Sequence, residues 1–293
     1  MSSILDKPKR YQARSIPMVD VQSFQDDRNI AIQKVGVKGL RYPITLLDKT
    51  EKYQHTTALV NLFADLPHEF KGTHMSRFIE VFEEYRHDLS MPNVIRMLKK
   101  IRVELDAQNT YTDIHFPYFM NKVAPVSGQA SIMSYDCFYE ASCSEKGHRF
   151  IAGATVPVQT VCPCSKAISD GGAHNQRGLV TLQVSLGPFF WFEDLIRIVE
   201  ASGSSELFTL LKREDEKFVT EKAYGQPRFV EDVVREVYSK VDALRRFPWF
   251  AVEAENFESI HNHSAYAYVE KSERSAIPPV DAEHGKWGAF ESF

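Results

Sequence analysis

The feature that most constrains this chain is the way its hydrophobic period switches between two and about 3.6 residues, in an order that runs through twice. Residues 34–47 (KVGVKGLRYPITLL) and 53–64 (YQHTTALVNLFA) read as strands joined by the charged turn DKTEK. Apolar positions then recur at three- and four-residue steps. They fall first at Phe78, Val81, Phe82 and Tyr85 behind Ser76 as an N-cap, then at Val94, Ile95, Met97, Leu98, Ile101 and Leu105 behind Pro92. The period returns to two over 110–123 and 129–142, a hairpin split by Pro125 and Gly128. From 149 the series starts again. Strands over 149–161 and 178–187 flank a polar loop, helices follow over 191–201 and 229–243, and strands over 248–255 and 264–270 close it. Such an order predicts an α+β chain of two strand–strand–helix–helix–strand–strand units, with antiparallel sheets covered by helices on one face. The units are placed at 31–146 and 147–272. The polar start, 1–30, and the aperiodic end, 273–293, are expected to be poorly ordered or to act as arms on a neighbour.

Length alone, 293 residues, allows one large domain or two modest ones, so the element order decides, with no repeat visible at the residue level. Thirty-five Lys and Arg against 39 Asp and Glu leave a net charge of -4 and no basic run, which excludes an extended nucleic-acid or membrane-surface footprint. No stretch reaches the roughly 18 apolar residues of a membrane span, and MSSILDKPKRYQARS lacks the apolar core of a signal peptide, so the expected address is the cytoplasm. Four cysteines, Cys137, Cys143, Cys162 and Cys164, are too few for a disulfide scaffold and turn attention to thiols as ligands or nucleophiles.

The loop 161–177, VCPCSKAISDGGAHNQR, packs two Cys, one His, one Lys, one Arg and two Gly between two strands. In an extended backbone alternate side chains face opposite ways, so Cys162 and Cys164 are not expected to share a pocket, and Cys-Pro-Cys makes a poor structural zinc knuckle. One thiol on a cleft, with His174 brought back by the Gly171-Gly172 turn, suits a catalytic metal with an open coordination position. Two buried cysteines in a tight turn are the plainer account of the same residues.

A carboxylate would complete such a set, and the segment 211–232 offers Glu214, Asp215, Glu216, Glu221, Glu231 and Asp232, with nothing in the periodicity to choose among them. Acidic residues near a helix start are more often solvated or favourable to the helix dipole. His261 and His263, two apart before an alternating strand, are expected to face opposite ways, one into a pocket as a general acid or base; a structural histidine is the plainer reading. GTHMSR, from His74 to Arg77, sits at a helix start where backbone N–H groups and an arginine can hold phosphate, unless Ser76 merely caps the helix.

CPCSKAISDGGAHNQRG, LLKREDEKFVTEKAYGQPRFVEDVVR, ESIHNHSAYA and GTHMSRF, in this order of chemistry rather than of sequence, resemble the prokaryotic GTP cyclohydrolase IB family, and the likeness runs collinearly over about residues 20–270. The resemblance implies a tunnelling fold with two such units in tandem, and a homotetramer with active sites at subunit interfaces. It implies conversion of GTP and water to 7,8-dihydroneopterin triphosphate and formate, at the entry to folate-type pterins. It assigns Cys162, His174 and Glu216 as ligands of a divalent metal, Zn, Mn or Fe, at spacings of twelve and forty-two residues. It places Glu231 as the carboxylate that anchors the purine and His261 as a pocket histidine. Cys162 and His261 become the proton-shuttle candidates. Lys166, Arg177 and Arg228 join His74 and Arg77 as nominees on the triphosphate side, by charge and position.

Two rivals keep the same residues. A nitrile reductase of the queuosine pathway would use Cys162 as nucleophile, with NADPH and no metal, although HNQR argues against it. A non-enzymatic purine- or pterin-binding module would close its metal with four protein ligands.

Overall fold

Alternating β-branched and aromatic residues, cut by short polar turns, build one antiparallel sheet. The computed structural model describes residues 20–272, apart from 21, 23 and 186. Its first half runs β1 (Ile32–Asp48), β2 (Lys52–Leu66), α1 (Met75–Tyr85), α2 (Met91–Glu104), β3 (Asn109–Val123) and β4 (Ala130–Ser144). The second runs β5 (Gly147–Val161), α3 (Pro163–Ile168), β6 (Asn175–Ser185), α4 (Phe192–Glu200), β7 (Ser205–Glu206), α5 (Arg213–Gly225), α6 (Val230–Ala243), β8 (Phe250–Asn256) and β9 (Ala265–Glu270). The strands lie in the order β1-β2-β3-β4-β5-β6-β8-β9, with β7 on the side of β5.

Register explains why one face is dry. Phe116 faces Cys137, Cys137 faces Ala154, Ala154 faces Leu182 and Leu182 faces Val252, a row of opposed residues crossing five strands. All five are buried, and with a period of two their neighbours on each strand fall on the same face. The helices supply the other side of this layer, through Phe78, Val81 and Phe82 of α1, Val94, Ile95, Leu98 and Ile101 of α2, Leu195, Ile196 and Val199 of α4, and Val233, Val234, Val237 and Val241 of α6. Each such side chain contributes about 1.5–3 kcal/mol on leaving water. One hydrophobic cluster, with members from Ile44 on β1 to Ala254 on β8, spans both halves. Cys137 and Cys143 are buried residues of β4, as expected of ordinary strand positions, and burial pushes the Cys137 thiol well up.

Two prolines mark where the sheet parts. The β2–β3 ladder ends at the Leu59–His115 pair, and Pro117, which has no N–H to give, follows on β3. There the Gln54 side chain stands in for β2, accepting from Phe119 N at 2.7 Å and donating to Phe119 O at 2.9 Å. Likewise the β4–β5 ladder ends at Thr155, Pro157 follows, and β7 takes the vacated side at Val158 and Gln159. Beyond that point β5 runs out to Val161 and the Cys-Pro-Cys segment.

The doubled order holds, with additions. Helix α1 starts at Met75 behind His74, so Ser76 lies in the first turn and is not the cap. Helix α5 was not expected, because its buried positions are only Asp215, Val219 and Ala223, a stripe too thin and too polar to show as a period. Residues 22 and 24–26, within the expected N-terminal arm, lie along 69–72 of the same chain: Gln25 bridges Phe70, and Lys71 N donates to Phe24 O at 2.9 Å. Residues 1–19 of that arm and the whole tail 273–293 are outside the described residues.

Candidate active site

The Cys-Pro-Cys segment is helical, which corrects the extended reading. Pro163, with φ preset and no N–H to satisfy, opens α3, and Cys162 becomes its N-cap, its sulfur accepting from Ser165 N at 3.5 Å. The alternation argument for separating Cys162 from Cys164 therefore fails. What separates them is the cap itself: Cys162 is half-buried at the strand end, and Cys164 is exposed in the first turn. The chain then returns through Gly172, whose φ of 123° suits glycine alone. Cys162 N donates to His174 O at 3.1 Å, closing the loop. Ser165 stitches it from within, its Oγ donating to Cys162 O and accepting from His174 N, each at 3.2 Å.

The imidazole of His174 is hydrogen-bonded through Nδ1. Its Nδ1 meets Gln176 Oε1 at 2.9 Å, and Gln176 Nε2 donates to Thr160 Oγ1 at 2.9 Å. A carboxamide oxygen only accepts, so the neutral tautomer that fits this contact carries its hydrogen on Nδ1 and its lone pair on Nε2. Nε2 faces Glu258 Oε2 at 3.9 Å. Glu258, Gln176 and Thr160 are site residues that the sequence reading did not single out. For Gln176 a signal existed, since it stands two residues from His174 in HNQR; Thr160 enters only as the β5 partner of Gln176.

Around this pair the structure gathers several of the expected residues. The β8–β9 turn arrives through Phe257 N, which donates to Arg177 O at 3.0 Å, and His261 N donates to Glu258 O at 3.2 Å. His261 and His263 do not face opposite ways. Their segment is a turn before β9, both are exposed, and their rings stack at 5.1 Å. Arg228 N donates to Val161 O at 2.9 Å, beside Cys162, and Arg228 Nε is buried with no protein hydrogen-bond partner. Glu231 is exposed in the first turn of α6, three residues on. Lys166 donates to Tyr224 O at the end of α5 and lies 4.2 Å from the centre of its ring.

Other expected residues are elsewhere. Glu216 is exposed in the first turn of α5, eight residues or ~12 Å of helix from Tyr224. Its neighbour Asp215 has a different task, buried and bonded to Val126 and Ser127 of the β3–β4 turn. On α1, His74 pairs with Asp20 at 3.3 Å, and Arg77 donates to Glu104 O at the end of α2. Among the described residues no three His, Cys, Asp or Glu side chains are gathered to hold a metal ion. The donor chemistry fits a metal in part: half-buried Cys162 is bonded through its backbone to His174, and one nitrogen of that imidazole meets a carboxamide, the kind of outer partner that ligating histidines keep.

The family model described as type I GTP cyclohydrolase folE2 matches residues 18–267. The chain belongs to this family. A protein named GTP cyclohydrolase FolE2 from Geotalea uraniireducens (strain Rf4) is 54% identical over 266 residues, covering 90% of this chain and 98% of its own. Another of that name, from Syntrophus aciditrophicus (strain SB), is 54% identical over 254 residues, covering 87% and 100%. The Arthrobacter globiformis uricase structure is far more distant, at 7% identity and a TM-score of 0.48 over 83% of this chain and 94% of its own. Within the FolE2 family span fall all the residues of the loop, the β8–β9 turn and the starts of α1, α5 and α6.

Proposed function

We propose that this chain converts GTP and water to 7,8-dihydroneopterin triphosphate and formate, the reaction of a type IB GTP cyclohydrolase, at the entry to folate-type pterins. The observation that carries the reading is His174, with Nδ1 hydrogen-bonded, Nε2 facing Glu258 and its backbone bonded to that of the half-buried Cys162, in a chain of the FolE2 family. Cys162 and His174, with Glu216, would hold a divalent Zn, Mn or Fe ion. Such an ion supplies Lewis acidity that brings the pKa of water toward neutrality. Glu216 lies away from the other two in the single chain, and assembly into a homotetramer with interface sites is part of the proposal.

The protein's own groups do the rest. The carboxylate of Glu231 accepts both the N1–H and the 2-amino group of guanine and so fixes the purine. Addition of water at C8 opens the imidazole ring, and a second water releases C8 as formate. Reclosure of the rearranged ribose onto the freed amine returns one water, leaving one consumed. Cys162 and His261 move the protons of these steps. Arg177 and Arg228 take the triphosphate, with His74, Arg77 and Lys166 as further candidates. Of the four cations Arg77, Lys166, Arg177 and Arg228, Arg77 and Lys166 already serve backbone carbonyls. The proposal also keeps the two units at 31–146 and 147–272 and a cytoplasmic address; among the described residues no helix is long and apolar enough to cross a membrane.

One assay tests the function. The protein is incubated with GTP and a divalent metal, with and without a chelator, and the mixture is oxidised and read for pterin fluorescence and formate. Both products, lost with chelator, are expected. NADPH-dependent activity insensitive to the chelator would favour the reductase, and metal-bound protein without products would favour a binding module.

A further inference from the structure

We propose that Gln176 is a positioning residue that locks the tautomer of His174, with Thr160 holding the far end of its carboxamide; the inference rests on the metal reading of His174 above. The three side chains form a short relay from the sheet interior outward. Thr160 is fully buried on β5 and Gln176 is 6% exposed at the start of β6. They are register partners, so the backbone ladder itself brings the two side chains together on one face. The Gln176 carboxamide uses both ends: Nε2 donates to Thr160 Oγ1 and Oε1 accepts from His174 Nδ1, each at 2.9 Å.

The arrangement has a chemical consequence at the far side of the ring. A neutral imidazole carries one hydrogen, and the two tautomers are close in energy when nothing selects between them. With Nδ1–H engaged, Nε2 is obliged to present its lone pair outward, toward the space bounded by Glu258 at 3.9 Å. Without Gln176 the hydrogen is shared between the nitrogens, and part of the population offers an N–H where a ligand needs a lone pair. The ring also loses the contact that fixes its rotation. The backbone of His174 is held independently, by Cys162 N and Ser165 Oγ, so the loop does not depend on Gln176 for its path.

The substitutions Gln176→Leu and Gln176→Glu separate positioning from packing. Leu fills the volume and accepts nothing. Glu only accepts, so it keeps the demand for Nδ1–H, and the Thr160 hydroxyl can turn to donate to it. The first readout is the nitrogen spectrum of selectively labelled histidine, with the His174 signal assigned by its loss in His174→Asn. The wild type is expected to show Nδ1–H, Gln176→Leu an averaged pair of tautomers, and Gln176→Glu the wild-type pattern. The second is Zn affinity by competition with a chromophoric chelator. It is expected to fall about 10- to 100-fold in Gln176→Leu, the usual cost of removing an outer partner of a ligating histidine, and to recover in Gln176→Glu. A wild-type tautomer unchanged in Gln176→Leu overturns the lock. So does a Gln176→Glu variant as weak for Zn as Gln176→Leu. A wild type with the Nδ1–H tautomer but no Zn binding instead overturns the metal reading, and the role of the lock with it. Thermal melts of all variants report whether the fold is kept.

Discussion

The carboxylate of Asp215 and the hydroxyl of Ser127 meet at 2.5 Å, across 88 residues of sequence and across the two halves of the chain. The same carboxylate accepts from the backbone N–H of Val126, Ser127 and Lys212, each at 2.8 Å. It is at once the N3 member of the α5 capping box and the hook that fastens α5 to the β3–β4 turn.

Asp215 therefore carries a pH dependence with a definite sign. Burial would raise its pKa, but the hydrogen bonds from Ser127, Lys212 and Val126 outweigh it and hold the carboxyl well below the usual carboxylate range. A depressed pKa in the folded state contributes stability above the unfolded value of about 4 and loses it as pH falls further. Asp215→Asn is expected to lower Tm at pH 7 and to flatten the loss of Tm below pH 4. Parallel Tm curves for variant and wild type from pH 7 to pH 3 would show that the Asp215 carboxylate does not set the acid dependence, and coincident curves that the hook does not bear on stability.

Glu216 occupies the next position on that helix but faces solvent. If it is the third ligand, Glu216→Gln should come off purification with metal reduced to a small fraction of the wild-type content by elemental analysis. Normal metal content removes it from the site and turns attention to Glu258, which is already beside His174.

Glu231 makes the opposite prediction. Glu231→Ala should keep its metal and lose GTP affinity by at least about 100-fold, since two hydrogen bonds to a charged group are worth about 1.5–3 kcal/mol each. Titration calorimetry on the metal-loaded variant reads this directly, and unchanged affinity defeats the anchor role.

The two cysteines of the loop separate by position. Cys162→Ala should abolish turnover, and Cys164→Ala, exposed in the first turn of α3, should stay within about tenfold of wild type, a barrier change under about 1.4 kcal/mol. The reverse order in steady-state kinetics would make Cys164 the working thiol.

Most of the fold was legible because it is written in apolar spacing. Val94, Leu98 and Ile101 recur as a helix face, and Ile114, Phe116 and Tyr118 as a strand face, and each set is buried as that spacing requires. Helix α5 escaped because its inward positions include a charged residue whose partners lie 88 and 89 residues away, a contact that no window on the sequence contains. Helix α3 escaped because six residues around a proline carry no period. At the site, residue types pointed to Cys162 and His174, but local spacing misjudged orientation. An alternation argument needs a strand, and neither Cys162–Cys164 nor His261–His263 is on one. Glu258 became visible only when β8 was laid beside β6.

The seam between the halves has a consequence for how the molecule comes apart. β4 and β5 are paired from Asp136–Thr155 to Ser144–Gly147, and the hydrophobic cluster crosses that seam without a gap. Duplicated element order is thus not duplicated autonomy. Scission at the β4–β5 turn would leave each fragment with a raw strand edge and an uncovered apolar margin, so the two halves are expected to melt together, with damage to either felt by both.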